Sequence, residues 1–390
     1  MNYILYDGAV RERMLPFTYT KPVSELRIGI LTIAEKWEKH LGTTITNLTE
    51  GYLEEKFPLV EFPENIFIDA SVLPNEKLVE AISALSHNEL LVQNGFIIAF
   101  FADDTQEVTD FEKYTPIAFD ADFLQLRSKT DLFALNAQAL EADFKLLTKG
   151  RKSQEIGASN QIIAPENIFI EEGAVVEFAM LNARTGPIYI GKDTLVMEGS
   201  MIRGPFALGD NSVLKMGTKI YGATTIGPKC TVGGEVKNSV FFGNSNKSHE
   251  GYLGNSVIGE WCNFGADTNC SNMKNTHSKI KMWEYELEAY ADTGMQFCGL
   301  FLGDHCKTGI NTMLNTGTVI GMSCHIFGAG FPNKFVPSFS WGSGTNQNTY
   351  TLENAKDTAR RMYALKSEMF SGVEERIFDV VFEFSERYRK

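Results

Sequence analysis

The second half of the chain repeats the order found in Ile190-Gly191-Lys192-Asp193-Thr194, an aliphatic residue followed by glycine and then by polar or small residues. The same order recurs at residues 208–212, 226–230, 258–262 and 302–306. Steps of about six residues with one inward aliphatic side chain per short strand are typical of a parallel β-helix, whose stacked coils share one core. An antiparallel β-protein would instead alternate with a period of two. We therefore expect a left-handed parallel β-helix of hexapeptide repeats.

Glycine marks where this fold begins and ends. Of the 34 glycines, six precede residue 156 and one follows residue 344. Before the repeats, residues 1–155 mix short apolar runs with helical spacing, which predicts an α/β domain. We expect the all-β β-helix over residues 156–345, interrupted by a protruding loop at residues 282–291. C-terminal helices are expected over residues 346–390, packed on the β-helix or on a neighbouring subunit.

Composition argues against several classes of function. The net charge of -13 disfavours a general nucleic-acid-binding protein, which would need clustered lysine and arginine. No apolar run reaches the ~20 residues that cross a membrane, and the first residues lack a signal-peptide pattern, so we expect a cytoplasmic protein with no membrane partner. The six cysteines lie in the second half without C-x-x-C pairs. We expect them to be small buried apolar side chains.

A polar run interrupts the repeat pattern and carries the clearest functional motif. The run Lys247-Ser248-His249-Glu250-Gly251-Tyr252-Leu253-Gly254-Asn255 resembles a K-x-x-H-x-x-Y-L-G-D segment in the acetyltransferase half of the bifunctional enzymes of UDP-N-acetylglucosamine synthesis. Asn263, Gly265-Ala266 and Asn272 follow His249 at the spacing of that family, and Lys237 precedes it at the matching distance.

Acetyl transfer from a thioester to an amine needs a base, and an imidazole with a pKa near ~6.5 is suited to that step. The resemblance implies His249 as the catalytic base, with backbone N–H groups of Gly265 and Ala266 as oxyanion donors and coenzyme A contacts. Substrate-binding roles are implied for Lys237, Tyr252, Asn263, Asn272 and Lys279 (or Lys281), and a coenzyme A contact for Ala329. Lys237 and Tyr252 would bind the sugar phosphate, Asn263 the amino sugar, and Asn272 the sugar or the pantetheine arm.

The sequence also departs from the family pattern. Glu250-Gly251 replaces an apolar-polar pair, Met273 a tyrosine and Asn255 an aspartate. No arginine matches the one that binds the acceptor phosphate, so Arg203 or Lys219 would have to serve. These differences leave the acceptor and the acyl group open.

The N-terminal segment resembles the sugar-1-phosphate nucleotidyltransferase signature L-x-G-G-x-G-T-R-M-x-P, with Gly8, Arg13 and Lys21 as the matches. Backbone N–H groups of such a loop bind triphosphate oxygens while its basic side chains neutralise charge. The resemblance implies that Asp69, at the end of an apolar run, holds Mg²⁺ between the reacting phosphates. Val10 replaces the second glycine and would obstruct close approach of phosphate. We therefore expect a reduced nucleotidyltransferase-like domain.

The resemblance implies a homotrimeric acetyltransferase that uses acetyl-CoA and glucosamine-1-phosphate. The first domain would add Mg²⁺-dependent nucleotidyl transfer, to give UDP-N-acetylglucosamine, if it is active. Two alternatives stay open. One is a sugar-1-phosphate nucleotidyltransferase, for instance a thymidylyltransferase, with the β-helix as trimer scaffold. The other is a non-catalytic regulatory protein that binds a sugar nucleotide.

Overall fold

The computed structural model describes residues 1–103, 111–342 and 347–389. The described residues form two compact units. The first consists of Met1–Met14, Thr20–Leu26 and Leu31–Ser128, and the second of Leu15–Tyr19, Arg27–Ile30 and Lys129–Lys390. The domain boundary after residue 155 stays a prediction, and the boundary after residue 345 lies outside the described residues.

The first unit is built on a mixed β-sheet with helices beside it. Its elements are β1 (Asn2–Tyr6), α1 (Ile33–Leu41), β2 (Thr46–Leu48), β3 (Asn65–Asp69), α2 (Glu76–Ser83), β4 (Glu89–Gln93), β5 (Phe96–Ala102) and β6 (Thr115–Ala118). The strand order is β2-β1-β3-β5-β4-β6. Because β1 runs parallel to both β2 and β3, the carboxyl ends of these strands meet at one edge, where Asp7 and Asp69 lie.

The second unit contains a parallel β-helix, whose strands in the described residues form three sheets that we number faces 1 to 3. Face 1 contains Gln161–Ile163, Met180–Asn182, Met201–Arg203, Lys219–Tyr221, Glu235–Lys237, Tyr252–Gly254, Asn269–Cys270 and Met313–Leu314. Face 2 contains Ile168–Ile170, Ile188–Ile190, Phe206–Leu208, Thr224–Ile226, Val240–Phe241, Val257–Ile258, Leu300–Leu302, Thr318–Ile320 and Phe335–Val336. Face 3 contains Val175–Val176, Leu195–Val196, Val213–Leu214, Thr231–Val232 and Asn246–Lys247, and continues through Lys307–Thr308, His325–Ile326, Ser340–Trp341 and Asn348–Thr349.

The repeated aliphatic residues stack along face 2. Ile190 pairs in register with Leu208, and Leu208 with Ile226, and all are fully buried. The glycine that follows each of them is required by the close approach of the next coil: a Cβ on Gly209 would lie 2.6 Å from the backbone nitrogen of Pro228. The predicted parallel β-helix is therefore confirmed, with an α/β unit before it and helices after it.

The cysteines are free and buried, as expected. The thiol of Cys306 donates to the carbonyl of Gly321 across 2.9 Å. Other coils use a hydroxyl in the same way, since Ser212 donates to Gly227 O across 2.9 Å. Burial raises the pKa of Cys262 to about 12, so this thiol stays protonated at neutral pH. The cysteines thus belong to the hydrogen-bonded interior of the β-helix.

Helices and a hairpin are added to the coils of the second unit. The helices are α3 (Asp131–Ala134), α4 (Asn136–Thr148), α5 (Leu352–Leu365) and α6 (Gly372–Phe384). Tyr363 of α5 stacks on Trp261 with 3.8 Å between ring centroids, so α5 packs on the β-helix. The expected loop at residues 282–291 is instead an antiparallel hairpin of Lys281–Glu284 with Ala289–Asp292. Among the helices of the described ranges, none combines the length and the apolar character that a bilayer crossing needs.

Candidate functional site

His249 lies at the corner that joins face 3 to face 1. Residues 248–251 form this corner, between the strands Asn246–Lys247 and Tyr252–Gly254. In the next coil, residues 265–268 form the same corner, because Asp267 N donates to Glu250 O across 3.1 Å. His249 and Ala266 therefore occupy equivalent places in neighbouring coils.

The imidazole of His249 is exposed to solvent. In the part of the chain that the structure describes, no hydrogen bond holds this ring. Its backbone is held instead, since Lys247 Nζ donates to His249 O across 3.0 Å. An open imidazole without a competing partner can take a proton from a bound amine, which is what a general base must do.

Lys237, Tyr252 and Asn272 lie together on face 1. Lys237 pairs in register with Gly254, two residues beyond Tyr252. Gly254 leaves room for the two other side chains, since a Cβ at this position would lie 2.8 Å from Asn272 Nδ2. Burial raises the pKa of Tyr252 to about 12, so its hydroxyl remains a hydrogen-bond donor at neutral pH. The structure therefore brings these three predicted residues into one cluster.

Sequence reasoning missed Tyr221 and Glu235, which lie on the same face. The Tyr221 hydroxyl donates to Glu235 Oε1 across 2.5 Å, and Glu235 pairs in register with Tyr252. A groove of about 530 Å³ beside them is also lined by Arg203 and Lys219. Arg203 and Lys219, the two residues that could replace the family's phosphate-binding arginine, therefore both border this groove. The sequence signal for these two residues was available, because polar residues alternate with core residues along these strands.

Asn263, Gly265 and Ala266, the remaining predicted residues near the corner, differ in their position and in their hydrogen bonds. Asn263 lies on face 3, on the opposite side of the corner from Tyr252. Gly265 N donates to Thr308 O across 3.0 Å, so this N–H is used between coils and is not free for an oxyanion. No comparable bond from Ala266 N is found in the described ranges. Of the predicted donor pair, Ala266 is therefore the one whose N–H stays available.

Ala329 and Lys279 lie outside the cluster. Ala329 is exposed, and it follows Phe327, which stacks on Gly309 at the corner that also holds Gly265. It therefore continues the corner two coils beyond Ala266. Lys279 is exposed before the hairpin, and its carbonyl accepts a hydrogen bond from Lys274 Nζ across 2.8 Å. Lys279 makes no hydrogen bond to Lys237, Tyr252 or Asn272 within the described residues.

In the first unit, Gly8 and Asp69 meet at the carboxyl ends of β1 and β3. Gly8 has φ +56°, and a Cβ there would lie 2.6 Å from Asp69 Oδ2. Asp69 Oδ1 accepts hydrogen bonds from Ser71 N at 2.8 Å and Ser71 Oγ at 2.5 Å. Burial raises the pKa of Asp69 to about 6, against the opposing effects of Ser71 and Arg13. Arg13 is therefore close enough to act on this carboxyl group, and the absence of a side chain at Gly8 leaves room for Oδ2.

The segment after β1 does not form an open glycine loop. Val10 is buried, so its side chain packs inside the unit. Arg11 Nη1 lies 2.6 Å from Asp7 Oδ2, and Arg11 Nη2 donates to the Tyr52 hydroxyl across 3.2 Å. Lys21, the third predicted nucleotide contact, is buried. The basic residues of this segment thus take part in the packing of the unit itself.

Comparison with known proteins identifies relatives of both kinds of transferase. Residues 3–152 match the family described as sugar nucleotidyl transferase. The chain is 26% identical over 197 residues to the bifunctional protein GlmU of Methanocaldococcus jannaschii, covering 48% of this chain and 41% of that protein. It is 30% identical over 157 residues to a bifunctional sugar-1-phosphate nucleotidylyltransferase/acetyltransferase of Sulfurisphaera tokodaii, covering 39% of this chain and 38% of that protein. The chain thus spans about two fifths of the length of these relatives, and the predicted resemblance to the bifunctional family is confirmed.

Among solved structures, the chain is similar to an Arabidopsis UDP-N-acetylglucosamine acyltransferase. The identity is 14% and the TM-score 0.24, covering 60% of this chain and 92% of that chain.

Proposed function

Because this chain is related to the bifunctional nucleotidylyltransferase/acetyltransferases, we propose that its β-helix transfers an acetyl group from acetyl-CoA to the amine of glucosamine-1-phosphate. The observation that carries the proposal is the place of His249, an open imidazole on the corner between Ala266 and the cluster of Lys237 and Tyr252. A base at this corner would act next to a candidate thioester contact and a candidate site for a sugar phosphate.

The proposed roles follow from the charges of these groups. The His249 imidazole takes the proton that the amine loses as it attacks the thioester carbonyl, and the coenzyme A thiolate leaves. The Ala266 N–H stabilises the oxyanion of the tetrahedral intermediate. The Lys237 ammonium neutralises the acceptor phosphate, with Arg203 or Lys219 as a second cation in the adjoining groove. Tyr252 and Asn272 donate to the sugar from face 1, and Asn263 donates to it from face 3, on the other side of the corner.

We further propose that the protein is a homotrimer. Phe178, Met180, Met201 and Met216 lie exposed on face 1 and on its corner with face 3, at the end of the β-helix nearest its first coils. Phe178 is 63% exposed and Met216 67%. Contiguous apolar side chains of this kind mark protein–protein contacts. The stripe borders the groove that holds Arg203 and Lys219, so a neighbouring subunit would also enclose the acceptor site.

For the first unit we propose nucleotidyl transfer, which the family match of residues 3–152 supports. Asp69 Oδ2 lies next to Gly8, while Oδ1 accepts hydrogen bonds from Ser71. In the described residues no cluster of three His, Cys, Asp or Glu side chains could hold a metal ion. Mg²⁺ that is bound through a single carboxylate takes its other ligands from phosphate and water, so Asp69 fits this mode. Mg²⁺ would bring the reacting phosphates together and neutralise their charge.

The inward packing of Val10 and Arg11 favours a second candidate for this unit, binding of a sugar nucleotide without turnover. Pyrophosphate release from UTP or dTTP with a sugar-1-phosphate distinguishes the two candidates. Release that is lost in Asp69→Ala supports transfer. Binding of nucleotide without pyrophosphate supports the regulatory alternative.

Acetyl transfer is tested by the release of free thiol from acetyl-CoA in the presence of glucosamine-1-phosphate. His249→Ala should lower the rate by about 10²- to 10⁴-fold, the usual contribution of a general base. His87→Ala is the matched control, because His87 lies in the first unit and pairs with Asp103. Equal loss in both variants, or no release by the wild-type protein, would exclude the proposed reaction.

A further inference from the structure

Lys247 is a charged side chain in the interior of the β-helix. Its strand pairs with Thr231–Val232 so that Lys247 stands in register with Val232, which in turn stands on Leu214. Val232 and Leu214 are core residues, and Lys247 is only 2% exposed. An aliphatic residue would fill this place without cost, whereas a buried ammonium is unfavourable unless it is well hydrogen-bonded.

The ammonium group is bonded to two backbone carbonyls at the corner that carries His249. Lys247 Nζ donates to Gly233 O and to His249 O, each across 3.0 Å. Gly234 makes room for this arrangement, because a Cβ there would lie 3.0 Å from Lys247 Nζ and 2.9 Å from His249 O. The backbone of the corner therefore accommodates the Lys247 ammonium group and is hydrogen-bonded to it.

We propose that Lys247 is a positioning residue for His249, whose buried ammonium fixes the backbone that presents the imidazole. The catalytic meaning of this inference rests on the proposed acetyl transfer. Lys247 itself is enclosed in the interior and does not touch substrate.

The other hydrogen bonds of the corner explain why a lysine is needed. Glu250 O accepts from Asp267 N of the next coil. His249 O receives no backbone N–H in the described ranges, and Lys247 supplies its donor. Because the imidazole ring has no partner of its own there, its place depends on this backbone. A displacement of about 1 Å in a reacting group can cost about 10²-fold in rate.

The charge of Lys247 is consistent with this role. Its pKa is lowered to about 8, chiefly by burial and in part by Lys219, against the opposing effects of Glu250 and Asp267. The side chain therefore remains largely an ammonium at pH 7, able to donate to both carbonyls.

Lys307 offers a matched control in the same β-helix. Its Nζ donates to Trp261 O across 2.8 Å and to His305 O across 2.9 Å. Burial also lowers the pKa of Lys307. Lys307 thus has the same kind of bonding at a different corner, away from residues 248–251.

The test compares Lys247→Met with Lys307→Met in the full-length protein. Methionine suits an apolar column, so we expect the melting temperature of Lys247→Met to equal or exceed that of the wild-type protein. Hydrogen–deuterium exchange in residues 246–253 should be faster in Lys247→Met and unchanged in Lys307→Met. With acetyl-CoA and glucosamine-1-phosphate, kcat should fall about 10- to 100-fold in Lys247→Met. Both KM values should change less than about twofold, because the bound groups are untouched.

Several outcomes decide between the possibilities. Unchanged exchange in residues 246–253, or unchanged kcat in an active enzyme, overturns the positioning role. Equal loss of kcat in Lys307→Met also overturns it. If Lys247→Met fails to fold, Gly234→Ala replaces it: this variant keeps the ammonium but crowds Nζ and His249 O, and it should give the same faster exchange. If the wild-type protein releases no thiol, the proposed acetyl transfer fails, while the exchange comparison still decides whether Lys247 fixes the corner.

Discussion

The side-chain amide of Asn272 donates to Oδ1 of Asn255 across 2.7 Å, and both residues are buried. Asn255 follows the strand that carries Tyr252, and its own N–H donates to Lys237 O across 3.0 Å. The bond between the two asparagines therefore joins neighbouring coils beside the proposed sugar site. Asn255 has φ +48°, a conformation that asparagine, aspartate and glycine tolerate better than other residues.

Two substitutions of Asn255 should separate the contribution of its hydrogen bond to stability from the contribution of its backbone conformation. Asn255→Gly keeps the conformation but removes the acceptor, so we expect a loss of about 1–3 kcal/mol in the free energy of unfolding. Asn255→Asp keeps the acceptor and should be much less destabilising. The KM for glucosamine-1-phosphate should rise in the glycine variant only. Urea unfolding and initial rates measure both effects, and equal destabilisation by the two substitutions would contradict the role of the Asn272 bond.

Asp69 predicts a pH-dependent stability of the first unit. Burial raises its pKa to about 6 from its ordinary value of 3.8. The folded state therefore favours the protonated carboxyl group, and its contribution to stability is complete below about pH 4 and is lost as the pH rises through about 6. Asp69→Asn should thus stabilise the protein at pH 7.5 more than at pH 4.5, by a difference on the order of 2 kcal/mol at most.

Urea unfolding of Asp69→Asn across this pH range is the measurement. Asp122→Asn is the control, because it makes the same substitution at an exposed position. A difference for Asp69→Asn that does not grow between pH 4.5 and pH 7.5 would show that burial does not control this carboxyl group.

The β-helix was predictable because its signal is local and repeated. Each aliphatic residue that is followed by glycine pairs in register with its equivalent in the neighbouring coil, as Ile226 does with Leu208. The cluster of Lys237, Tyr252 and Asn272 was predicted from the family resemblance of its motif. The stacking of coils brings the three together, since Gly254 pairs with Lys237 and Asn272 bonds to Asn255. The hairpin of Lys281–Glu284 with Ala289–Asp292 was not, because its packing partners lie far away in the sequence.

The place of Lys247 could not be read from the sequence. Within a polar run it resembles a solvated residue, and only its register with Val232 turns it inward. The sequence also could not show that Leu15–Tyr19 and Arg27–Ile30 belong to the second unit. These short segments lack a pattern of their own, and long-range contacts such as Arg27 Nε with Phe242 O at 3.0 Å hold them.

The glycines of the repeat predict a specific sensitivity to a single methyl group. A Cβ on Gly209 would meet the backbone of Pro228 at 2.6 Å, and a backbone atom cannot move aside as a flexible side chain can. Gly209→Ala should therefore lower the free energy of unfolding by about 1–3 kcal/mol, the usual cost of overpacking. Gly51→Ala is the control, since a Cβ there meets nothing within 4 Å. Thermal unfolding compares the two, and equal melting temperatures would contradict the close stacking of coils.

The exposed apolar stripe predicts the assembly state. Phe178 and Met216 lie on the corner between faces 3 and 1, and a carboxylate placed there would be desolvated by a neighbouring subunit. Phe178→Asp with Met216→Asp should therefore convert the proposed trimer to monomers without unfolding the β-helix. Leu365→Asp, at an 82% exposed position of α5, should leave the trimer intact. Sedimentation velocity measures the state of assembly, and circular dichroism checks the fold.

Acetyl transfer should be lost together with the trimer, because the groove of Arg203 and Lys219 would open to solvent. A fully active monomer would contradict the proposed enclosure by a neighbouring subunit and would leave His249 to act within a single chain.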